Sequence, residues 1–390
     1  MAIENPRGWR PLQAPFLRWV AIAAAIGFLF GGQVGLSDEV SELPRLFEMP
    51  TKDLEQLAQR GDVIAQRVLA RRYEGGFLDV RQKHAEAVRW YRLAAGQGDA
   101  IAQNNLGRMY DDGEGVSEDD AEASRWYRLA AEQGLADAQY NLGVMCARGD
   151  GVPQDDVEAV RWFRMAAEQG LADAQYSLGV MHSNGNGVPK DDVEANRWYR
   201  IAAEQGLADA QYNLGVRYAR GDGVREDDVE AIRWFRMAAQ QGDLGAQVNL
   251  GVMYANGEGV SQDHAEAVNW FRRAAKRGDA DAQFNLGVLY ADGDGVPEDD
   301  SEAAHWYRMA AEQGLADAQY NLGVMYANGE GVPEDYVIAY AWASAAAGHG
   351  HTEAREAKRF LSKRMTRSQI EQAEERSREY LDLYVVPFQQ

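Results

Sequence analysis

The stretch Ala138-Gln139-Tyr140-Asn141-Leu142-Gly143-Val144, then Gly149-Asp150-Gly151-Val152-Pro153, then Glu158-Ala159-Val160-Arg161-Trp162-Phe163-Arg164-Met165-Ala166-Ala167, decides the fold. It reads as two helical stripes separated by a turn. In the first, Ala138, Leu142 and Cys146 recur at a spacing of four with Gly143 beside them. In the second, Ala159, Trp162, Phe163, Ala166 and Ala167 share one face. Small residues let the two helices approach closely, and each aromatic ring brings roughly 150–250 Å² of area to bury. Gly149 follows the last periodic residue of the first helix and suits a left-handed C-terminal position. Asp155 with Glu158 predicts a capping box at the start of the second helix. Asp119 with Glu122, Asp191 with Glu194 and Asp227 with Glu230 repeat that spacing. Glu158 also precedes Arg161 by three, which predicts a surface ion pair of about 0.2–0.5 kcal/mol.

The same passage recurs along the chain in an unbroken register. Trp90, Trp126, Trp162, Trp198, Trp234, Trp270, Trp306 and Trp342 are spaced by 36 residues, as are Gln103, Gln139, Gln175, Gln211, Gln247, Gln283 and Gln319. A period of this size marks a stacked solenoid, in which each unit buries only the faces it shares with its neighbours. Eight such units fill residues 62–350 of the 390. The expected fold is therefore all-α, with one elongated domain flanked by an N-terminal cap over 38–61 and C-terminal cap helices and tail over 351–390. Near Tyr73 the string Glu74-Gly75-Gly76-Phe77-Leu78 carries an extra residue, and the pattern decays after Trp342. Atypical end units suit a solenoid that needs polar caps. Thr366 and Gln369 predict a capping box that opens a last helix to about Leu381.

The order Leu-Gly, Tyr, Gly-x-Gly-Val, Glu-Ala-x-x-Trp-[Tyr or Phe]-x-x-Ala-Ala resembles the Sel-one-like repeat family, a relative of the tetratricopeptide repeats, over about three quarters of the chain. The resemblance implies a right-handed α/α superhelix whose first helices line a concave groove. It implies adaptor roles in signalling, envelope assembly, polysaccharide export or quality control. It names no partner.

The first 37 residues differ in kind. Arg7, Arg10 and Arg18 precede an uncharged run from Trp19 to Ser37 with an apolar heart from Val20 to Phe30, followed by small residues. A basic end, a short apolar stretch and a small-residue exit describe a secretory signal peptide. An uncleaved N-terminal membrane anchor is the alternative, since the run could just span a bilayer about 30 Å thick. Either reading places the repeats in the periplasm or outside the cell, exported from a bacterial cytoplasm.

Composition narrows the partners. A formal charge of −21 repels nucleic acid and anionic lipid, so a protein or peptide partner is expected and nucleic acid is not. Basic residues gather only near the C-terminal end, at Arg355, Lys358, Arg359, Lys363, Arg364 and Arg367. Cys146 is the single cysteine, which removes any intrachain disulfide, and it occupies a position that is tyrosine in other units. It is expected to be a buried small hydrophobe, and His182, at the same position one unit later, a packed core residue.

Enzyme chemistry is not legible. The fold family also includes proteins associated with penicillin binding or β-lactam hydrolysis, but no serine here is followed three residues later by lysine. His349 and His351 lack nearby cysteines, so they are read as a solvated turn and no metal or other cofactor is expected. The acidic loops, such as Asp292-Gly293-Asp294-Gly295, lack calcium-loop spacing and are read as helix caps. The expected function is a non-enzymatic interaction scaffold or adaptor of the bacterial envelope. An envelope hydrolase or β-lactam-binding enzyme, and a structural organiser of polysaccharide export, are the alternatives.

The candidate partner-binding groove is the set of first-helix positions, four apart, that lie off the core stripe. These are Tyr140, Val144 and Arg148; Tyr176, Val180 and Asn184; Tyr212, Val216 and Arg220; Phe284, Val288 and Asp292; and Tyr320, Val324 and Asn328. Aromatic groups beside adaptable polar ones suit a peptide or partner helix. The competing expectation is that the tyrosines pack on the preceding unit's second helix and only stabilise the stack.

Overall fold

The computed structural model describes residue 43 and residues 45–77 and 80–388; the leader or anchor at 1–37 lies outside these. Among the described residues the regular structure is entirely helical. The chain divides into two compact units at Gln169 and Gly170.

In the first unit α1 (Thr51–Gln59) precedes the pairs α2 (Val63–Gly75) with α3 (His84–Gly96), α4 (Ala100–Asp111) with α5 (Asp120–Glu132), and α6 (Ala136–Arg148) with α7 (Asp156–Glu168). In the second the pairs are α8 (Ala172–Asn184) with α9 (Asp192–Glu204), α10 (Ala208–Arg220) with α11 (Asp228–Gln240), α12 (Leu244–Asn256) with α13 (His264–Ala275), α14 (Ala280–Asp292) with α15 (Asp300–Glu312), and α16 (Ala316–Asn328) with α17 (Tyr336–Gly348). Two further helices, α18 (Thr352–Ser362) and α19 (Arg367–Tyr384), close the chain.

The turn between paired helices is fixed by two glycines with different tasks. Gly149 sits at φ 82°, where its N–H donates to the Met145 carbonyl and ends α6. Gly151, at φ 63°, lies against the backbone of Asp120 in the preceding repeat; a β-carbon there would fall 2.1 Å from the Asp120 carbonyl oxygen. The first glycine thus closes a helix, and the second lets the loop rest on the repeat before it.

At the start of α7 the Asp155 carboxylate accepts from the N–H groups of Val157 and Glu158. The expected capping box is only half formed. The Asp155 N–H donates instead to the Cys146 carbonyl at 2.8 Å, tying the cap to the end of α6, and Asp119, Asp191 and Asp227 do the same with Tyr110, His182 and Tyr218 at 2.9 Å. The complete box forms at Thr366 and Gln369, and the helix it opens runs three residues past the expected end, to Tyr384.

Three tryptophans pack against the second helix of the preceding repeat and the first helix of their own. Trp234 of α11 joins Ala195, Tyr199, Ala202 and Ala203 of α9 and Ala210 and Leu214 of α10; Trp270 and Trp306 extend the same arrangement through α13 and α15. Every core therefore draws on three successive helices. The buried glutamines join the same helices with hydrogen bonds. Gln139 donates from Nε2 to the Ala131 carbonyl at the end of α5 (3.2 Å) and accepts from Gln169 Nε2 (2.8 Å). Gln211 repeats this with Ala203 (3.0 Å) and Gln241 (2.8 Å).

The ends of the array depart from the pattern in ways that seal it. Arg72 is buried where other repeats carry Met109 or Met145. It donates to the hydroxyl of Thr51 and to the carbonyls of Leu46, Phe47 and Met49, fastening the N-terminal segment. At the other end Trp342 stacks on Tyr384 (ring centroids 5.1 Å apart), and Gln319 donates to the Tyr384 carbonyl (3.2 Å). His349 and His351 form a packed joint rather than a solvated turn. His349 Nε2 meets the Tyr384 carbonyl at 2.9 Å, and the His351 ring stacks on Tyr320 at 4.5 Å.

Trp234→Ala is expected to cost about 3–5 kcal/mol, the usual loss for a large buried aromatic. Because Trp234 lies in the core built on α9 and α10, amide exchange should quicken across residues 192–220 as well as around the substitution. Unchanged protection in 192–220 would contradict the packing described.

Candidate functional site

The first-helix positions grade from half-buried to exposed. In the first unit Tyr140 and Val144 are half-buried and Arg148 is exposed. The Tyr140 ring tilts against Phe163 of α7, with centroids 5.8 Å apart, and the adjacent Asn141 donates to Asn104 of α4 (3.1 Å).

In the second unit Tyr176, Tyr212, Phe284 and Tyr320, with Val180, Val216, Val288 and Val324, are half-buried, whereas Asn184, Arg220, Asp292 and Asn328 are exposed. Tyr176 packs on Tyr199 (5.7 Å), Tyr212 on Phe235 (5.9 Å) and Phe284 on Tyr307 (5.8 Å). The rings thus lean on the second helix of their own repeat, not on the preceding one. Tyr176 Oη also accepts from Asn213 Nδ2 of the next first helix (3.2 Å), and the Tyr212 ring covers Gly245, where a β-carbon would lie 2.8 Å from it. Each row offers a held aromatic edge, an aliphatic shoulder and an exposed polar tip, Asn328 being tied to Glu330 at 3.1 Å.

A second set of residues, not anticipated from the pattern, crosses between repeats. Arg236 of α11 donates to the Tyr254 hydroxyl of α12 (2.7 Å), Arg272 to Tyr290 (2.9 Å) and Arg308 to Tyr326 (2.6 Å); Arg200 makes the same contact with Tyr218. The first unit has one such pair, Arg92 with Tyr110 (2.7 Å). Where Cys146 replaces the tyrosine, Arg128 bonds Glu158 instead (2.8 Å). That contact takes Glu158 away from its expected partner Arg161, whose guanidinium lies 5.7 Å from the centre of the Trp162 ring. The expected i,i+3 pair does form at Glu122 with Arg125, Glu194 with Arg197 and Glu230 with Arg233.

Cys146 is buried, as expected, and its burial pushes the thiol up to about 11. His182 is buried too, with both ring nitrogens lacking a protein hydrogen-bond partner. A polar cluster beside it was not foreseen. Arg217, in the position of Met253 and Met325, is buried and bonds Asn196 Oδ1, Asp192 Oδ1 and, at 3.2 Å, Ser183 Oγ. Asn196 in turn donates to the Asp222 carbonyl (2.7 Å). Its sequence signal was available: Asn196 and Arg217 break apolar columns of the repeat together. Among the described residues no group of histidine, cysteine and carboxylate side chains could hold a metal ion, and no helix is long and apolar enough to cross a membrane.

Two outcomes follow. Cys146 should resist alkylation in the folded chain at pH 8, because little thiolate exists so far below a value of about 11, and react on unfolding; mass spectrometry checks this. Asn196→Val alone should cost about 1–3 kcal/mol by leaving the buried guanidinium one acceptor short, whereas adding Arg217→Met should recover most of the loss. Denaturant melts of the two single variants and the double variant measure the coupling.

The family model described as Sel1 repeat matches residues 63–99, 100–135, 136–171, 172–207, 208–243, 245–279, 280–315 and 316–351. A Sel1 repeat protein from Oxalobacter formigenes is 36% identical, with 82% of this chain and 93% of that one covered and a TM-score of 0.62. A protective antigen of uropathogenic Escherichia coli strains, displaying an SLR fold, is 32% identical over 95% of both chains, with a TM-score of 0.48. No curated protein matches the chain. The matched repeats begin near the start of each first helix and end after each second, so the helix pairs and the family units coincide, and the chain belongs to the Sel1-repeat family.

Proposed function

We propose that this chain is a non-enzymatic scaffold of the bacterial cell envelope that holds a peptide or partner protein against its first helices. Sel1-repeat proteins are generally protein-interaction scaffolds and typically non-enzymatic. The observation that carries the reading to these residues is the graded row: a half-buried aromatic ring held by the second helix, then a valine, then an exposed polar tip. A held ring loses little freedom when a ligand covers it, so its contact area contributes to affinity with a small entropic penalty. Polar tips one turn and more away supply direction. The arginine-flanked apolar run at 18–37 supports export, by cleavage or by anchoring.

The test uses the exposed tips, since the aromatic rings also carry packing. Arg148→Glu, Asn184→Glu and Arg220→Glu together should leave helical content and melting temperature nearly unchanged. The same triple variant should lose capture of partners from envelope extracts that the parent retains. A folded variant that still captures every partner of the parent would remove the first-helix face as the working surface.

A further inference from the structure

We propose that the four arginine–tyrosine rungs of the second unit form a docking rail for an extended acidic peptide bearing a carboxylate at every third residue. This surface joins second-helix arginines to first-helix tyrosines, leaves out the aromatic and valine positions of the candidate groove, and does not depend on them.

The rungs are Arg200, Arg236, Arg272 and Arg308 with their tyrosines, in four successive repeats. A tyrosine hydroxyl fixes a guanidinium without neutralising it. Among the described residues none of the four lies within ion-pair distance of a carboxylate, although the chain holds 61 acidic residues against 40 basic ones. Other arginines that reach between repeats do end on carboxylates: Arg67 on Asp99, Arg108 on Glu74 and Arg128 on Glu158. The last is an internal comparison, because Arg128 turns to Glu158 at the repeat where Cys146 replaces the tyrosine. The tyrosine column therefore holds the arginines in place while leaving their charge unpaired. Each hydroxyl engages one terminal nitrogen, which leaves other donors of the planar fork for a carboxylate. Arg200 and Arg236 are exposed and Arg272 and Arg308 half-exposed; Gln240 and Lys276 lie one turn beyond the two central arginines, so no acid on their own helices competes there.

Spacing selects the ligand's conformation. The rungs recur once per repeat, on every second helix, and helices stacked in one layer lie roughly 10 Å apart. A polyproline II chain advances about 3.1 Å per residue with three residues per turn, so every third side chain points the same way at about 9 Å intervals. A β-strand turns every third side chain to alternate faces, and an α-helix matches the step only with acids seven residues apart, at about 10.5 Å, so carboxylates at every third residue keep step only in the extended chain. The overall charge of −21 opposes an acidic ligand at long range, but screening confines that repulsion to about 8 Å in physiological salt.

The probe is a fluorescein-labelled peptide of four Asp-Pro-Pro triplets, titrated with the full-length chain and followed by anisotropy. A peptide of the same composition with its four aspartates adjacent serves as comparison, and a single-stranded oligonucleotide tests for indiscriminate anion binding. The spaced peptide should bind about tenfold more tightly than either, and Arg236→Gln with Arg272→Gln should weaken it about tenfold while the circular dichroism spectrum and melting temperature stay unchanged. Should that variant melt early, Arg236→Lys with Arg272→Lys, which keeps charge but loses the fork, must still weaken the spaced peptide more than the clustered one. No binding of the spaced peptide, equal binding of the clustered one, or tighter binding of the oligonucleotide overturns the proposal.

Discussion

The buried glutamine near the start of each first helix is the contact on which the stacking depends. Its amide donates backward to a carbonyl at the end of the preceding second helix, and its carbonyl accepts forward from a glutamine at the end of its own repeat. One side chain thus adds a second hydrogen bond to a carbonyl at a helix end and fixes three helices in relative position. A hydrogen bond of this kind contributes a net 0.5–1.5 kcal/mol, but a buried amide left without partners costs about 1–3 kcal/mol. Misplaced stacking is therefore penalised more heavily than correct stacking is rewarded. The exceptions follow the same logic. Positions 277 and 349 are arginine and histidine, which bond the Gly242 and Tyr384 carbonyls, and the Gln247 and Gln319 carbonyl oxygens are left without a partner.

With the helices so positioned, apolar burial supplies most of the stability. Trp234, Trp270 and Trp306 each pack against the second helix of the preceding repeat and the first helix of their own, so no repeat owns a complete core. The second glycine of the turn, as at Gly151, Gly223, Gly259 and Gly295, serves the same end by letting the loop lie on the preceding helix start. Stability is consequently a property of adjacent pairs, as expected for a quasi-one-dimensional array.

Much of this was legible because the repeat displays each structural position eight times. The tryptophan and glutamine columns, the C-terminal glycine at Gly149 and the aspartate caps all follow from spacing and local chemistry. What escaped was contact between helices, both within a repeat and across repeats. The Asp155 N–H was assigned to Glu158, yet the end of α6 lies close enough to take it. Glu158 was assigned to Arg161, yet Arg128 approaches from the preceding repeat. Local pattern cannot weigh a neighbour lying 30 residues away in sequence. The aromatic row was placed off the core stripe, with packing on the preceding second helix as the competing expectation, and the packing shows its rings leaning on the second helix of their own repeat.

Departures from the repeat then separate structure from recognition. A substitution that enters the core must bring compensation, and Arg217 arrives with Asn196, Asp192 and Ser183 around it. A substitution at an exposed tip needs none, so Arg148, Asn184, Arg220, Asp292 and Asn328 vary freely in charge while the rings beneath them stay aromatic. The tyrosine column is intermediate. Its rings are partly buried and its hydroxyls reach the surface, so replacing one by Cys146 preserves the packing and changes only where the facing arginine points. Positions of that kind, half in the core and half at the surface, let a repeat protein alter its recognition chemistry without disturbing the stack.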